Sequence, residues 1–572
     1  MKIICFILAL ITTKALPYFL NMTSINNIFL IPIIAFLYLF YKRQYPRINK
    51  RKGIFAFLFS LLFSLCYVLG KYFEINKTVF DFISLENIYY LFSLGIFVFN
   101  ITIFIYSKLE TGQFTNKLNL LEKKKTYIFI FLLFIITLLP SYLALFPGLV
   151  TVDSYDQLSM ISTDSFTAHH PLIHTLLLMV FYNLGITFNN PNLGIALLSF
   201  FQMCLLSLAF TYVVYKIYYY TKNKYIVLFS ILFFILCPIN SILMMYMTKD
   251  IIFSALFLIF FVMSFDFIID NKYSKKNSVV YLIIGILMCL FRNQGVYVVI
   301  FTLIFTLIFY RKKKFILLLI LIPVLTIGVN KTLMIITDAS STKTAEMFSV
   351  PIQQLARAYN LNKESFTKEQ LDTLYNYLPK KSLVTYIPEI ADPVKKDFNN
   401  NYFKKDKLSF IKLWFSIGLK NKTNYVDSFL YGSYGYFYLD VKMPHWGDLF
   451  PYHDSGNKAA REKFGIKEQS YLKDLKSEKE KDILRADYQN DFLLGLLASP
   501  ALPFILLSFN IIYCFYKRIY KLLVPLAFIF GMWGTLILGP VISIRYIYPL
   551  MLCVPFLAVL PIFFFNINKT ND

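Results

Sequence analysis

The stretch from Phe146 to His174 concentrates the side chains that acid/base chemistry needs, in a chain that has only five histidines. Its carboxylates and imidazoles belong to Asp153, Asp156, Asp164, His169, His170 and His174. A carboxylate can take a proton from a hydroxyl group, and an imidazole can transfer a proton or bind a metal ion. A solvated connector would have the same composition, so the function of this stretch depends on which other residues reach it.

Composition indicates a polytopic membrane protein. Hydrophobic residues make up 57% and aromatic residues 19% of the 572-residue chain, a higher apolar share than soluble domains have. The net charge of +24 lies in short basic clusters between apolar runs, which predicts cytoplasmic loops and gives no reason to expect a nucleic-acid partner. All seven cysteines lie in apolar runs without a CxxC pair, so neither a disulfide framework nor a thiolate metal site is expected.

Apolar runs of sufficient length predict an all-α fold with about 14 transmembrane helices. The first run, MKIICFILALITTKALP, resembles a signal peptide but leads directly into another apolar run, so we predict a retained first span. The predicted spans lie near residues 3–20, 26–41, 53–70, 86–107, 126–146, 192–220, 225–243, 248–269, 279–291, 296–310, 315–335, 491–516, 522–540 and 545–566.

The basic loops determine the predicted orientation in the cytoplasmic (plasma) membrane, because short lysine-rich loops stay on the cytoplasmic side. Asp153 then follows an outward span, and only one of the runs 171–186 and 192–220 can cross before the basic segment 216–224. The run that begins at Pro171 is the shorter, so residues 171–185 are predicted to form one helix in the outer membrane interface. Both chain termini are predicted to be cytoplasmic.

The same orientation brings further ionisable and polar residues to the outer face. They are Lys249, Asp250, Arg292, Asn293, Arg545 and Tyr546. Arg292 lies between two spans that are each too short to cross a full bilayer, which predicts a turn recessed into a polar cavity. The sequence therefore predicts that several charged groups meet at one surface.

Four segments are predicted along the chain. They are a four-span module at 1–125, a membrane core at 126–335 with its first outer loop at 147–191, a small extracytoplasmic α or α+β domain at 336–490, and a group of spans at 491–572. Within the domain, KEQLDTLYNYL and residues 458–485 are predicted to be helical, and YGSYGYFYLD is ambiguous between strand and loop.

Two further groups of residues in this domain have open roles. Glu346, Gln353, Gln354 and Arg357 are predicted to share one helix, with a solvated face as the default interpretation. His445 and Trp446 either stack on a sugar or belong to the core of the domain.

The order of these elements resembles the GT-C superfamily of membrane glycosyltransferases. The matching residues are Asp153, His170-Pro171-Leu172, Lys249-Asp250, Arg292-Asn293-Gln294-Gly295 and Arg545-Tyr546-Ile547-Tyr548-Pro549. VDSYDQ with HHPLIH, EMFSVPIQQLARAY and YGYFYLD also resemble an uncharacterised bacterial family of multi-pass membrane proteins grouped near that superfamily. The resemblance covers roughly residues 126–566, and the first four spans are an added module.

The resemblance implies transfer of a sugar from a polyprenyl-phosphate donor to a cell-envelope acceptor at the outer face, with membrane lipids around the protein. Asp153 is the expected general base, with Asp156 as the second catalytic acid. The expected substrate-binding residues are His169, His170, His174, Lys249, Asp250, Arg292, Asn293, Arg545 and Tyr546. Among them Lys249, Arg292 and Arg545 are expected to stabilise the departing phosphate.

Metal use stays open at this stage. The double-acid motif of the superfamily is represented only by Asp153 and Asp156, three residues apart, and a divalent metal is the one cofactor to be considered. His170 and His174 have the i, i+4 spacing of two metal ligands, but a third ligand is not evident nearby.

Other readings remain. Asp153 and Asp250 could cap helices, and Lys249 and Arg545 could lie at the headgroup level with their stems in the membrane. A lipid-linked saccharide transporter or flippase would also use a basic cavity, although it should have paired, interrupted helical halves. A polysaccharide polymerase would combine many spans with a large outer loop but would not need the Asp153 carboxylate.

Overall fold

The protein is built from α-helices. The computed structural model describes residues 2–23, 25–112, 124–271, 273–341, 344–442, 458 and 462–569. Over these residues the regular structure is helical, and extended pairing is limited to three isolated β-bridges. His445 and Trp446 lie outside the described residues, so the roles predicted for them stay predictions.

Within the described chain, ten helices are long and apolar enough to cross a membrane, and the all-α polytopic prediction is confirmed at this level. About 20 residues of helix span the hydrocarbon core of a bilayer. The ten are Lys2–Phe19, Ile28–Arg47, Lys50–Asn76, Leu85–Thr111, Lys125–Ala144, Pro191–Thr221, Lys249–Asp270, Lys313–Ile336, Tyr520–Ile537 and Ile544–Phe563.

The N-terminal part forms a group of four helices. They are α1 (Lys2–Phe19), α2 (Asn27–Gln44), α3 (Lys50–Asn76) and α4 (Leu85–Thr111). The helices α3 and α4 pack antiparallel to each other, and α3 also packs against the helix Leu502–Lys517 near the other end of the chain. The helix α4 also contacts the rest of the protein, through the helix Val554–Lys569 and an ion pair between Glu110 and Lys517, so both α3 and α4 join the group to it.

The central part contains ten helices. They are α5 (Lys124–Ala144), α6 (Val152–Thr163), α7 (Leu172–Thr187), α8 (Pro191–Thr221), α9 (Lys224–Leu236), α10 (Pro238–Leu243), α11 (Lys249–Asp270), α12 (Lys275–Phe291), α13 (Gln294–Phe309) and α14 (Lys313–Ile336). The span predicted at 225–243 is interrupted, because the helix breaks at Cys237, where Pro238 follows.

Residues 345–425 have an apolar core of their own. Seven helices contribute to this part of the chain, namely α15 (Ser349–Leu361), α16 (Lys368–Tyr377), α17 (Lys380–Leu383), α18 (Asp392–Lys395), α19 (Asn400–Lys405), α20 (Lys407–Lys420) and α21 (Lys422–Tyr431). The helix predicted at KEQLDTLYNYL is confirmed as α16. The segment YGSYGYFYLD forms turns with a short 3₁₀ helix at Tyr434–Tyr436, and its tyrosines pack against the membrane helices.

The C-terminal part contains α22 (Lys473–Arg485), α23 (Phe492–Leu497), α24 (Leu502–Lys517), α25 (Leu523–Ile537), α26 (Ile544–Leu552) and α27 (Val554–Lys569). The helical prediction for 458–485 is confirmed for residues 462–464 and for α22, and the described residues 465–472 between them are not helical. The span predicted at 491–516 is also interrupted, because the chain turns at Ser499 and Pro500 between α23 and α24.

The helices α11 and α26 lie at the centre of the molecule and pack against each other. In the apolar windows Lys249–Asp270 and Ile544–Phe563, 83% of the residues are buried, against 28% in Lys2–Phe19. Polar residues at the first turns of these two helices are therefore surrounded by protein, where charges need partners.

Candidate functional site

The start of α6 is fixed beside the loop that precedes α11. Leu149 N donates a hydrogen bond to Met245 O at 2.7 Å, and Met247 N donates to Leu149 O at 3.2 Å. Ser154 Oγ donates to Met247 O at 2.6 Å. These bonds place the first turn of α6 next to Lys249, which begins α11 two residues after Met247.

A capping box orients Asp153 in that first turn. Thr151 Oγ1 accepts a hydrogen bond from Ser154 N at 3.3 Å, and Ser154 Oγ accepts one from Thr151 N at 3.2 Å. Both partners are buried. Because the N-terminus of a helix carries a partial positive charge, this position favours the ionised carboxylate of Asp153.

The loop before α11 is hydrogen-bonded to α8. Gln202 Nε2 donates to Met244 O and to Tyr246 O, each at 3.0 Å. The amide of Gln202 thus binds two carbonyl groups that have no helical partner, which fixes the positions of Lys249 and Asp250 at the start of α11.

The segment before α26 is fixed by the hydroxyl group of Tyr436. This hydroxyl donates to Val541 O at 3.2 Å and accepts from Ser543 N at 2.9 Å. Ser543 is the N-cap of α26, and Arg545 lies in its first turn. The tyrosine-rich segment therefore positions Arg545.

Asp153 is bound by two cations. Its Oδ2 lies 2.9 Å from Lys249 Nζ and 2.8 Å from Arg545 Nη1, and the side chain remains 22% exposed. Burial alone would raise the pKa of Asp153, but the charges of Arg545 and Lys249 hold that pKa well below its usual value. The carboxylate is therefore ionised at neutral pH.

A second carboxylate, that of Asp250, lies deeper and is fully buried. Asp250 Oδ1 is 3.0 Å from Arg292 Nη1, and Asp250 Oδ2 is 3.5 Å from Arg545 Nε. Over the described residues, neither oxygen of Asp250 accepts an aligned hydrogen bond. These contacts are thus charge pairs at short distance whose hydrogen-bonding capacity is not used.

The ring of Tyr546 lies between two guanidinium groups. Its centroid is 4.8 Å from Arg292 Cζ and 5.0 Å from Arg545 Cζ. Its hydroxyl also accepts a hydrogen bond from Arg545 Nη2 at 3.2 Å. Tyr546 therefore holds both arginines in place through cation–π contacts.

Four helices begin at this cluster. Asp153 lies in the first turn of α6, Lys249 and Asp250 in that of α11, Arg545 in that of α26, and Arg292 two residues before the start of α13. Helix N-termini attract anions. Together with three cationic side chains that face two carboxylates, this arrangement can bind a further anion such as a phosphate group.

The histidines lie beside the cluster. His170 Nδ1 is 3.2 Å from Lys249 Nζ, and because an ammonium group can only donate, this nitrogen accepts. His170 Nε2 then faces Asp156 Oδ2 at 3.9 Å, where Asp156 is 50% exposed. The ring of His169 meets that of His170 edge-on, at a centroid distance of 4.7 Å. The pair lies between the charged cluster and solvent.

Two predicted site residues stand apart from the ion pairs. Asn293 is exposed at the N-cap of α13, and its side chain caps no helical N–H group. His174 is buried, and its Nδ1 is 3.0 Å from Gln157 Oε1. In the part of the chain that the structure describes, no group of three His, Cys, Asp or Glu side chains could hold a metal ion.

Sequence reasoning missed the polar residues that support the site. Gln157 binds His174 and donates to Thr175 Oγ1 at 2.9 Å, and Gln202 holds the loop before α11. A usable signal was present for Gln202, because a glutamine in the otherwise apolar run 192–220 needs a buried partner. Gln157 offered no such signal in the mixed sequence of α6.

Comparison with protein families places the chain in one of them. The profile of a family of unknown function (DUF6020) matches residues 159–564, which is more than half of the chain. That range includes Lys249, Asp250, Arg292 and Arg545 but begins after Asp153 and Asp156. No curated protein and no solved structure matches the chain.

Proposed function

We propose a function for this chain, which belongs to the DUF6020 family: it transfers a sugar from a polyprenyl-phosphate donor to a cell-envelope acceptor at the outer face of the cytoplasmic membrane. The observation that carries this proposal is the meeting of Lys249, Arg292 and Arg545 around Asp153 and Asp250, at the beginnings of four helices. An anion-binding surface next to a carboxylate that keeps solvent access suits this reaction.

The donor phosphate is expected to exchange partners with Asp153. Lys249 and Arg545 both contact Asp153 Oδ2. A phosphate group offers these cations several charged oxygens, and the guanidinium group of Arg545 can bind two of them side by side. Once the cations turn to the phosphate, the pKa of Asp153 rises and the carboxylate becomes a better base.

The proposed reaction is an inverting displacement at the anomeric carbon. The oxygen of the acceptor hydroxyl attacks this carbon, and the bond from the carbon to the donor phosphate oxygen breaks. The hydroxyl proton passes to the Asp153 carboxylate, and the charge that develops on the leaving phosphate is stabilised by Lys249, Arg292 and Arg545. Asp156 and the neighbouring His170 lie on the solvent side, where an acceptor would enter.

The proposal includes an orientation. We place about 14 crossings in the membrane, with both termini in the cytoplasm and α7 in the outer interface. Four shorter helices, Lys224–Leu236, Lys275–Phe291, Gln294–Phe309 and Leu502–Lys517, would then cross beside the ten longer ones. Residues 336–490 would lie outside the cell.

The test compares two Asp→Asn variants on the same helix. Asp153→Asn removes the proposed base, whereas Asp164→Asn changes the exposed C-cap of α6, which has a φ of 49° that asparagine also adopts readily. Cells that lack the native protein would carry either variant or the wild type. Protein level, surface glycans and lipid-linked sugars would be measured by immunoblotting and mass spectrometry.

Asp153→Asn should be present at the wild-type level, should accumulate the lipid-linked donor and should lose the glycan product. The rate of transfer should fall by about 10²- to 10⁴-fold, the usual contribution of a general base. Asp164→Asn should behave as the wild type. Unchanged donor and product in Asp153→Asn would overturn the proposal.

A further inference from the structure

A basic cavity lies at the end of the α3–α4 pair that is remote from the candidate site. It has a volume of about 300 Å³ and is lined by Arg47, Lys52, Ser107, Lys108 and Thr111. Because α3 begins at Lys50 and the antiparallel α4 ends at Thr111, the two helices bring these residues together. Among the residues that the structure describes, the lining thus contains three cationic side chains and two hydroxyl groups and no carboxylate.

One of the three cations already has a partner. Lys52 Nζ lies 2.7 Å from Glu110 Oε2 and 3.3 Å from Ser107 Oγ, with only 6% of its side chain exposed. Glu110 also pairs with Lys517 Nζ at 3.2 Å. Lys52 therefore ties α3 to α4, and its charge is largely balanced.

The side chains of the other two cations, Arg47 and Lys108, are exposed. Arg47 Nη1 donates to the neutral amide oxygen of Gln44 at 3.2 Å, and Lys108 Nζ lies 5.9 Å from the ring centroid of Phe104. No carboxylate among the described residues pairs with Arg47 or Lys108 at salt-bridge distance. Positive charge thus remains at the rim of the cavity.

The position of the cavity along α3 and α4 indicates which kind of ligand can reach it. It lies at the same ends of α3 and α4 as the basic residues of 42–52 and Lys108, which the positive-inside rule assigns to the cytoplasm. The middle parts of α3 and α4 are apolar and partly exposed, as expected for helices in contact with lipid. The cavity therefore opens where the phosphate groups of the inner leaflet would lie.

We propose that this cavity binds the phosphate head group of an anionic phospholipid. Arg47 and Lys108 would supply charge, and the hydroxyl groups of Ser107 and Thr111 would donate hydrogen bonds to phosphate oxygens. The volume suits a head group, while the acyl chains would follow the lipid-facing surface of the helices. The site lies outside residues 159–564 and does not depend on the transfer reaction.

The alternative is that these cations only set the topology of the membrane helices. The segment Arg311-Lys312-Lys313-Lys314 provides the comparison. All four of its side chains are exposed, it leads into α14, and it does not line the cavity. Removing two charges from this segment changes the net charge of the protein as much as removing Arg47 and Lys108 does. A double variant in this segment is therefore the matched control.

The test uses the purified full-length protein in detergent and native mass spectrometry with added phosphatidylglycerol, phosphatidylcholine or inorganic phosphate. Phosphatidylglycerol should bind in preference to phosphatidylcholine. The double variant Arg47→Gln/Lys108→Gln should weaken its binding by about fivefold per cation removed, or about thirtyfold in total. Lys313→Gln/Lys314→Gln should bind as the wild type does. Lys52 is left unchanged because of its pairing with Glu110.

Three results would overturn the proposal. Equal binding of phosphatidylglycerol by the two double variants would remove the cavity as the site. Equal binding of the two lipids to the wild type would remove selection by head-group charge. Inorganic phosphate that binds the wild type as tightly as the lipid does would make free phosphate the ligand.

Discussion

Two carboxylates that pair with cations in this protein have different surroundings. Between the helices α15 and α21, Asp427 Oδ2 pairs with Arg357 Nη2 at 3.1 Å, and Asp427 Oδ1 accepts a hydrogen bond from Val79 N at 2.8 Å. In the membrane core, Asp153 meets two cations on a single oxygen and retains solvent access. Each oxygen of Asp427 thus has a partner within the protein, whereas both cations of Asp153 contact the same oxygen.

The difference separates a structural ion pair from a candidate site. Asp427 joins α15, α21 and the turn before α4, and of the pair only Arg357 Nε lacks an aligned hydrogen bond among the described residues. Around Asp250, both carboxylate oxygens and the nearest arginine nitrogens lack such bonds. Because unmet hydrogen bonds on buried charges are costly, we interpret the second arrangement as one that a ligand completes.

The largest effect is expected when the buried ion pair of Asp427 and Arg357 is broken. Arg357→Met would leave Asp427 buried without its cation, which should lower the free energy of unfolding by about 3–5 kcal/mol. Thermal unfolding of the purified protein would measure this loss. Lys381→Met is the control, because its pair with Asp397 at 3.6 Å is exposed and should not change the unfolding temperature. Equal unfolding temperatures for the two variants would remove the structural role of Arg357.

A substitution in the charged cluster around Asp153 and Asp250 should have the opposite effect. It should reduce the rate of transfer and leave the fold intact. Arg545 reaches both Asp153 and Asp250, and the ammonium group of Arg545→Lys keeps the charge but cannot span both carboxylates. Transfer should therefore fall by about 10²- to 10³-fold, as for the loss of one transition-state donor. Activity and unfolding temperature would be measured together. A wild-type rate in Arg545→Lys would argue against phosphate binding by this residue.

The smallest effect is expected from the support of Asp153. Thr151→Ala removes the N-cap of α6, which should cost about 1 kcal/mol of local stability and misplace the first turn. Transfer should drop only moderately, and Thr151→Ser should restore it because serine caps equally well. If alanine and serine gave the same reduced rate, the capping hydroxyl would not be what orients Asp153.

The sequence predicted the helical membrane class because apolar runs of about 20 residues have few other solutions in a bilayer. The breaks at Cys237 and between α23 and α24 were missed, although Pro238 and Pro500 mark them, because hydropathy averages over such short interruptions. Periodicity reports an apolar stripe and is insensitive to a proline at its edge.

The solvated face predicted for the EMFSVPIQQLARAY segment is wrong. Gln353, Gln354 and Arg357 are buried, and only Glu346 remains exposed, in a 3₁₀ helix before α15. Gln354 Nε2 donates to Tyr425 O at 3.0 Å, and Trp414 Nε1 donates to Gln354 Oε1 at 2.8 Å. These partners lie about 60 to 70 residues away, so the sequence around the helix could not indicate that its polar face would be covered.

The charged cluster was easier to anticipate. Sidedness alone placed Asp153, Lys249, Arg292 and Arg545 on one face, and these four side chains meet in the structure together with Asp250. Their pairing was not predictable, since it depends on hydrogen bonds such as those from Gln202 that fix the loop before α11. The position of His174 away from the cluster likewise depends on Gln157.

The central claim is that the charged cluster around Asp153 is accessible from outside the cell, unlike the ion pair of Asp427 and Arg357. Cysteine labelling tests this access directly. Asp156→Cys would be introduced at the 50% exposed rim of the cluster, in a background with Cys66 and Cys204 replaced by serine, since the other native cysteines are buried. A membrane-impermeant maleimide should label it in intact cells. Lys313→Cys should react only after permeabilisation. Labelling of Asp156→Cys only in permeabilised cells would contradict the account.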